Sequence, residues 1–195
     1  MNRTFAAVAV IGGLFASACH RAPPPPDLGT VPNFSMTDEL GKPFTNTTLA
    51  GKTWAAAFVF TRCPTACPRV TRLMRRLQEQ AESRHLDLRF VSFSIDPDND
   101  TPSVLKQYAA QYGADLATWS FVTGGDSDKV KATAEQGFKI AVDGKPDPSK
   151  TNLGLSHGTE LVLVDGGGKI RGYYATNDDT EAFRILDDAA RISSS

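Results

Sequence analysis

Cysteine and histidine are scarce in this chain, three of each among 195 residues. An iron–sulfur cluster usually takes four thiolates, and a structural zinc takes four Cys or His ligands. Three cysteines spread along the chain suit neither. A surplus of positive charge is also missing: 21 Lys and Arg against 22 Asp and Glu leave a formal charge of -1. That argues against a nucleic-acid binder, because such domains neutralise phosphates with an excess of bases. There is no internal repeat, and no apolar run reaches the roughly 20 residues that a membrane-spanning helix needs. What is present is ordinary globular material, 41% hydrophobic and 22% charged, in a length that suits one domain plus an export signal.

The first residues have a character of their own. Arg3 precedes an apolar run from Phe5 to Phe15, and the small residues Ala16, Ser17 and Ala18 follow, which is the layout of a secretory signal peptide. Cys19 comes directly after and looks like the lipid-accepting cysteine of a bacterial lipoprotein, although Ala16 stands where Leu is usual. An unmodified Cys19 in an oxidising compartment would be an odd, exposed thiol free to cross-link, whereas lipidating it leaves one cysteine pair. Residues 1–18 are therefore expected to be a lipoprotein-type signal peptide, with Cys19 lipidated and the protein anchored on the periplasmic side of a bacterial membrane. Pro23 to Pro26 favour extended polyproline II, so 19–30 is expected to be a semi-rigid tether and 31–195 a single domain.

Within that domain, Phe34 to Met36 and Lys42 to Thr45 are expected to form a short hairpin. Trp54 to Phe60 is continuously apolar, as in a strand buried on both faces. Val70, Leu73, Met74 and Leu77 fall at helical spacing, with Arg69, Arg72, Arg75 and Arg76 on the remaining positions as a solvated face. Leu88 to Ile95 reads as a strand, and Thr101 with Pro102 as the opening of a helix through Tyr112. Further segments are a strand at Trp119 to Val122, a helix at Asp126 to Gln136, a hairpin from Leu161 to Val164 and Lys169 to Tyr174, and a closing helix at Asp179 to Ala190. This alternation indicates an α/β protein with a central mixed sheet flanked by helices. Its order is the thioredoxin arrangement, with an N-terminal β-hairpin extension.

Functional groups in such sheets collect at the carboxyl ends of strands, which places Cys63 and Asp96 on one rim. Cys63 and Cys67 lie four apart at the entry to the amphipathic helix, where i,i+4 spacing lets both sulfurs turn to one point. The partial positive charge of a helix N-terminus favours thiolate. Two thiolates there can hold a metal or close a disulfide, and the spacing tilts toward metal. Soft sulfur ligands select copper(I), zinc or iron–sulfur clusters, and copper(I) is content with two sulfurs and an imidazole. His20 sits beside the tether and His85 on the opposite rim, so His157, expected to open the strand at 161–164, is the remaining candidate. The residues alone leave open whether His157 is a ligand or a strand-edge histidine bonded to a carbonyl. Asp96 and Asp100 are most simply structural, ending a strand and capping the next helix.

The segments Thr61-Arg62-Cys63-Pro64-Thr65-Ala66-Cys67-Pro68, Asp96-Pro97-Asp98-Asn99-Asp100-Thr101-Pro102 and His157-Gly158-Thr159 leading to Asp165 resemble, in order and spacing, the motifs of the Sco/SenC family. Gly158 stands where Ser is common, and Gly166-Gly167 replace a Pro-containing turn. The resemblance implies a thioredoxin-like fold and a copper ion held by Cys63, Cys67 and His157. It further implies delivery of copper to the copper-receiving subunit of a cytochrome c oxidase. The alternative is an extracytoplasmic thiol-disulfide oxidoreductase that cycles Cys63 and Cys67 with thiol-disulfide reductants and uses no metal. Against it, such enzymes generally carry C-x-x-C and a proline before the strand facing the site, and Ser156 to Thr159 has none. A peroxidase of the peroxiredoxin type would need Thr where Phe60 stands, and a binding module with a structural disulfide is the bland remaining reading.

Overall fold

A computed structural model describes residues 22–144, 147 and 154–193. The signal region, Cys19, His20 and most of 145–153 lie outside the described residues. Along the chain come strands β1 (Ser35–Asp38), β2 (Pro43–Thr45) and β3 (Thr53–Val59), helix α1 (Ala66–Ser83), β4 (Leu88–Ser94), α2 (Pro102–Gln111) and β5 (Trp119–Thr123). Helix α3 (Ser127–Ala132), β6 (Val142–Asp143), β7 (Ser156–His157), β8 (Leu161–Val164), β9 (Ile170–Tyr174) and α4 (Asp179–Ile192) complete it.

Seven strands form one mixed sheet in the order β2-β1-β5-β4-β3-β8-β9. β3 runs parallel to β4 and antiparallel to β8, and β4 runs parallel to β5. All seven residues of β3 are buried, which is what its unbroken apolar run predicts for a strand covered on both faces. Its side chains alternate between two cores. Trp54, Ala56 and Phe58 join Phe34, Phe93 and Phe138 on one face, while Ala55 and Ala57 meet Val70, Leu73, Met74, Leu77, Ile185 and Leu186 on the other. Alanine on the helical face lets α1 and α4 approach the sheet closely. On the opposite face the gap is filled by rings: Phe138 lies 5.2 Å from both Phe58 and Phe93, and 5.9 Å from Trp54, centroid to centroid. Each such buried side chain stabilises the fold by about 1.5–3 kcal/mol.

The hairpin β1–β2 adds to the sheet through antiparallel pairing of β1 with β5, as expected of an N-terminal extension. Helix α2 begins as its sequence predicts, with the Thr101 hydroxyl accepting from Val104 N and Pro102 in the first turn. Three expectations need correcting. The helix expected from 126 to 136 is α-helical only to Ala132, then widens into a π-type turn over Thr133–Gly137 that tucks Phe138 into the core. His157 does not open the strand at 161–164 but belongs to a separate two-stranded ribbon, β6–β7, in which it pairs with Val142. The proline stretch is not a free spacer throughout. Leu28 N donates to Ile170 O, Ile170 N to Gly29 O and Val31 N to Gly168 O, while Arg171 donates to the carbonyl of buried Pro25. These bonds cover the edge of β9, whose unpaired amides would otherwise invite another strand.

Candidate metal centre

β3 and β4 end on one rim, where Ile95 N still donates to Val59 O at 2.9 Å. From there the chain turns through Phe60 to Thr65 before α1 begins at Ala66, so Cys63 lies ahead of the helix and Cys67 is its second residue. The pair therefore does not have the helical i,i+4 relation expected from spacing. A turn closed by Cys63 N donating to Phe60 O at 3.2 Å brings the first sulfur over the helix start instead. Both cysteines are buried and free, Cys63 with 9% exposure and Cys67 with none.

The two thiols are inequivalent. The Cys63 sulfur accepts from Cys67 N at 3.4 Å. The neighbouring Cys67 thiol, together with the amides of Cys67, Thr65 and Ala66, holds the Cys63 pKa down to about 5. Cys67 is pushed well up by its contact with Cys63 and by burial, against the pull of Phe60 N donating to its sulfur at 3.5 Å. One thiolate shared with one thiol is what two close acids under a single helix terminus produce.

His157 reaches this pair from the far side. Its ribbon is short, only Val142 opposite His157 and Asp143 opposite Ser156, with Gly158 N donating to Ala141 O at 2.9 Å. Ile140, Val142 and Leu155 anchor it in the core. Gly144 lets the ribbon close, since a Cβ there would fall 1.8 Å from the Gly154 carbonyl oxygen, and its φ is +83°. The His157 Nδ1 lies 2.7 Å from Gly158 O. A carbonyl only accepts, so Nδ1 carries the proton and the Nε2 lone pair is directed outward. Nε2 stands 3.3 Å from Cys67 Sγ, and the ring meets Phe60 edge-on at 5.9 Å. Burial lowers the imidazole pKa, which favours the neutral form that binds metals.

Chemically, this is a soft and largely dry donor set of two sulfurs and an unprotonated nitrogen. On a first-row d10 ion such as zinc, with bonds of about 2.3 Å to sulfur and 2.0 Å to nitrogen, the two ligands stand roughly 3.5 Å apart. The Cys67–His157 pair is already near that spacing. Among the described residues no three donors are gathered as a bound ion would hold them. His85, the other described histidine, follows the far end of α1, which ends at Ser83. That is about 24 Å along the helix from Cys67.

Sequence reasoning missed the support beneath the cysteines. Asp96 and Asp100 are fully buried, and neither carboxylate caps α2. Asp100 accepts from Thr61 N at 3.1 Å, Thr61 Oγ1 at 2.5 Å and Ser94 Oγ at 2.6 Å. Asp96 accepts from Arg62 Nη2 at 2.7 Å and from Asn99 Nδ2 at 2.8 Å. The turn after β4 thus grips the two residues that precede Cys63. The cue lay in Thr61-Arg62, a donor pair beside the cysteine, facing two acids on the same rim.

A thioredoxin-like sheet with a C-x-x-x-C loop on its carboxyl rim and a histidine brought in from a distant ribbon defines a thiol-rich metal or redox centre. The SCO1/SenC family model matches residues 23–192, and the chain belongs to that family. A SCO1/SenC family lipoprotein from Bacillus anthracis is similar, with a TM-score of 0.79 and 36% identity over 86% of this chain and 97% of that one. BsSco, a Sco-family cytochrome c oxidase assembly protein in which a disulfide switch has been identified, gives 0.79 and 32% over 89% and 99%. Yeast Sco1, solved with copper bound, gives 0.68 and 25% over 87% and 90%.

Proposed function

We propose that this protein binds copper through Cys63, Cys67 and His157 and passes it to the copper-receiving subunit of a respiratory cytochrome c oxidase, for assembly of the binuclear copper centre. The observation that carries this reading is the His157 imidazole, its Nδ1 held against Gly158 O and its Nε2 3.3 Å from Cys67 Sγ. A histidine with only a packing role has no need of an unprotonated nitrogen aimed at a buried thiol. Copper bound to yeast Sco1 and the oxidase-assembly role of BsSco support the same reading.

Two thiols and one imidazole suit copper(I), and Cys63, its pKa held down to about 5, offers the ion a thiolate at neutral pH. Purified protein with reduced thiols is expected to bind one copper per chain, and His157→Ala to weaken this sharply. Full stoichiometric binding by that variant at limiting copper would overturn the site.

Thiol-disulfide exchange is a second use of the same pair. It is favoured by the low pKa of Cys63 beside its buried partner, and a disulfide switch is known in the similar BsSco. Oxidation of Cys63 and Cys67 to a disulfide would remove the copper(I) ligands, so metal and redox state are coupled. Turnover on a disulfide substrate that chelators leave unchanged would make exchange the main activity. We further propose that Cys19 carries a lipid on the periplasmic side of the membrane; the similar Bacillus anthracis protein is a SCO1/SenC family lipoprotein. Among the described residues no helix is long and apolar enough to cross a membrane. Mass spectrometry of the membrane-extracted protein tests the lipid.

A further inference from the structure

We propose that the groove between α1 and the amino end of α4 is a docking site for an acidic polypeptide segment of a partner protein. The groove has a volume of about 480 Å³ and is lined by Arg69, Arg72, Arg75 and Arg76 together with Tyr112 and the turn at Thr176 and Asn177 that leads into α4. No ligand of the metal centre lines it, so the site stands or falls independently of the copper reading.

Four guanidiniums within two turns of one helix are unusual in a chain whose formal charge is -1, and they are not all spent internally. Arg76 is held by both carboxylate oxygens of Asp179, at 2.9 and 2.7 Å, and Arg75 by Glu79 at 3.1 Å. Arg69 donates to the Thr176 carbonyl and has no carboxylate partner among the described residues. Arg72 is exposed and, among the described residues, makes neither an ion pair nor a hydrogen bond. The groove therefore keeps two guanidiniums, Arg69 and Arg72, that no carboxylate among the described residues bonds, while the amino end of α4 is already answered by Asp178, Asp179 and Glu181.

Thr176 is a separate observation. The residue is 4% exposed, yet its hydroxyl has no hydrogen-bond partner among the described residues. A buried unpaired hydroxyl costs about 1–3 kcal/mol, and Thr176 lines the groove.

Spacing selects an extended acidic chain over a small anion. Arg69 and Arg72, the two not bonded to a carboxylate, share one face and step along α1 by roughly 4.5 Å. Alternate side chains of an extended strand are about 6.6 Å apart on one face, so a segment with Asp or Glu at every second position meets successive guanidinium forks. A lone phosphate engages one fork and leaves the rest of the groove unused. Since Arg69 follows Cys67 by two residues, a protein docked here lies alongside the rim that carries the thiols.

The test is a titration of the full chain, purified in detergent with its thiols reduced and no metal added, with an alternating Glu-Gly peptide followed by amide chemical shifts. Shifts confined to α1 and the start of α4 are expected. The affinity should weaken as ionic strength rises from about 0.01 to about 1 M, which shortens the screening length from roughly 30 to 3 Å. Arg72→Glu is expected to weaken the peptide roughly tenfold while far-UV circular dichroism and copper stoichiometry stay unchanged, and Arg72→Gln should fall between. The proposal is overturned by an absence of shifts or by equal binding to Arg72→Glu. Inorganic phosphate binding as well as the peptide, or anionic phosphatidylglycerol vesicles binding in its place, would also overturn it.

Discussion

The two arms of the metal centre are built to different standards. Cys63 and Cys67 hang between a fully buried strand and the longest helix among the described residues, with Asp96 and Asp100 gripping the two residues just before Cys63. His157 is carried by a ribbon of two paired residues on each side. The cysteine arm is thus over-determined by the core, and the histidine arm rests on three core side chains and a few hydrogen bonds. Weakly held segments open locally at low cost. Under the proposed copper-delivery role this asymmetry is useful, because lifting the imidazole would expose the ion without disturbing the fold.

That contrast can be broken from either side. The largest effect is expected from Cys67→Ala, which removes the sulfur shared by both arms and should abolish stoichiometric copper binding, as read by metal analysis after desalting. His157→Ala comes next. It should cost more than the roughly 10- to 100-fold that losing an outer partner of a metal ligand costs, measured by competition with a copper(I) chelator, with thermal unfolding of the metal-free protein nearly unchanged. An equal loss of stability in both variants would contradict the asymmetry.

Asp100→Ala should do the reverse. It strands Thr61 N, Thr61 Oγ1 and Ser94 Oγ, so destabilisation by about 1–3 kcal/mol in urea unfolding is expected, with a smaller loss of copper affinity than in His157→Ala. The cysteine arm should also respond to pH. With the Cys63 pKa lowered to about 5, alkylation of Cys63 in reduced metal-free protein should rise through that pH and be complete in its pH dependence by neutrality, while Cys67 stays slow. The sign extends to stability. A thiol whose folded pKa lies below its unfolded value contributes stability that is full above the unfolded pKa and lost as pH falls through the folded one. For Cys63 the window runs from about 9 down to about 5. A stability profile of the reduced protein that is flat across that window would argue against the thiolate.

Much of the fold was legible because burial writes plain patterns. The apolar run of β3, the helical spacing of Val70, Leu73, Met74 and Leu77, and the Thr101-Pro102 helix start each follow from short-range rules, and each lies where expected. Those rules do not extend to pairings between distant segments. The ribbon of Val142 with His157 is two residues long on each strand, too short for any periodicity to register, and it depends on Gly144 and Gly154 meeting in space. Asp100 sits one residue before a true cap and was read as part of that cap, because a carboxylate before a helix does not disclose that it faces another strand's end. The packing of residues 28–31 on β9 went unseen for the same reason, since proline-rich sequence has no period by which to register against a strand.

By itself the sequence determined the class of sheet, the pair of thiols at the mouth of a helix and the softness of whatever they hold, since hydrophobic spacing and side-chain chemistry are local properties. Only the tertiary structure decided which of the two thiols is acidic, which imidazole nitrogen is free and which carboxylates brace the loop. Those outcomes depend on distances of a few ångströms between residues up to 90 positions apart in the chain.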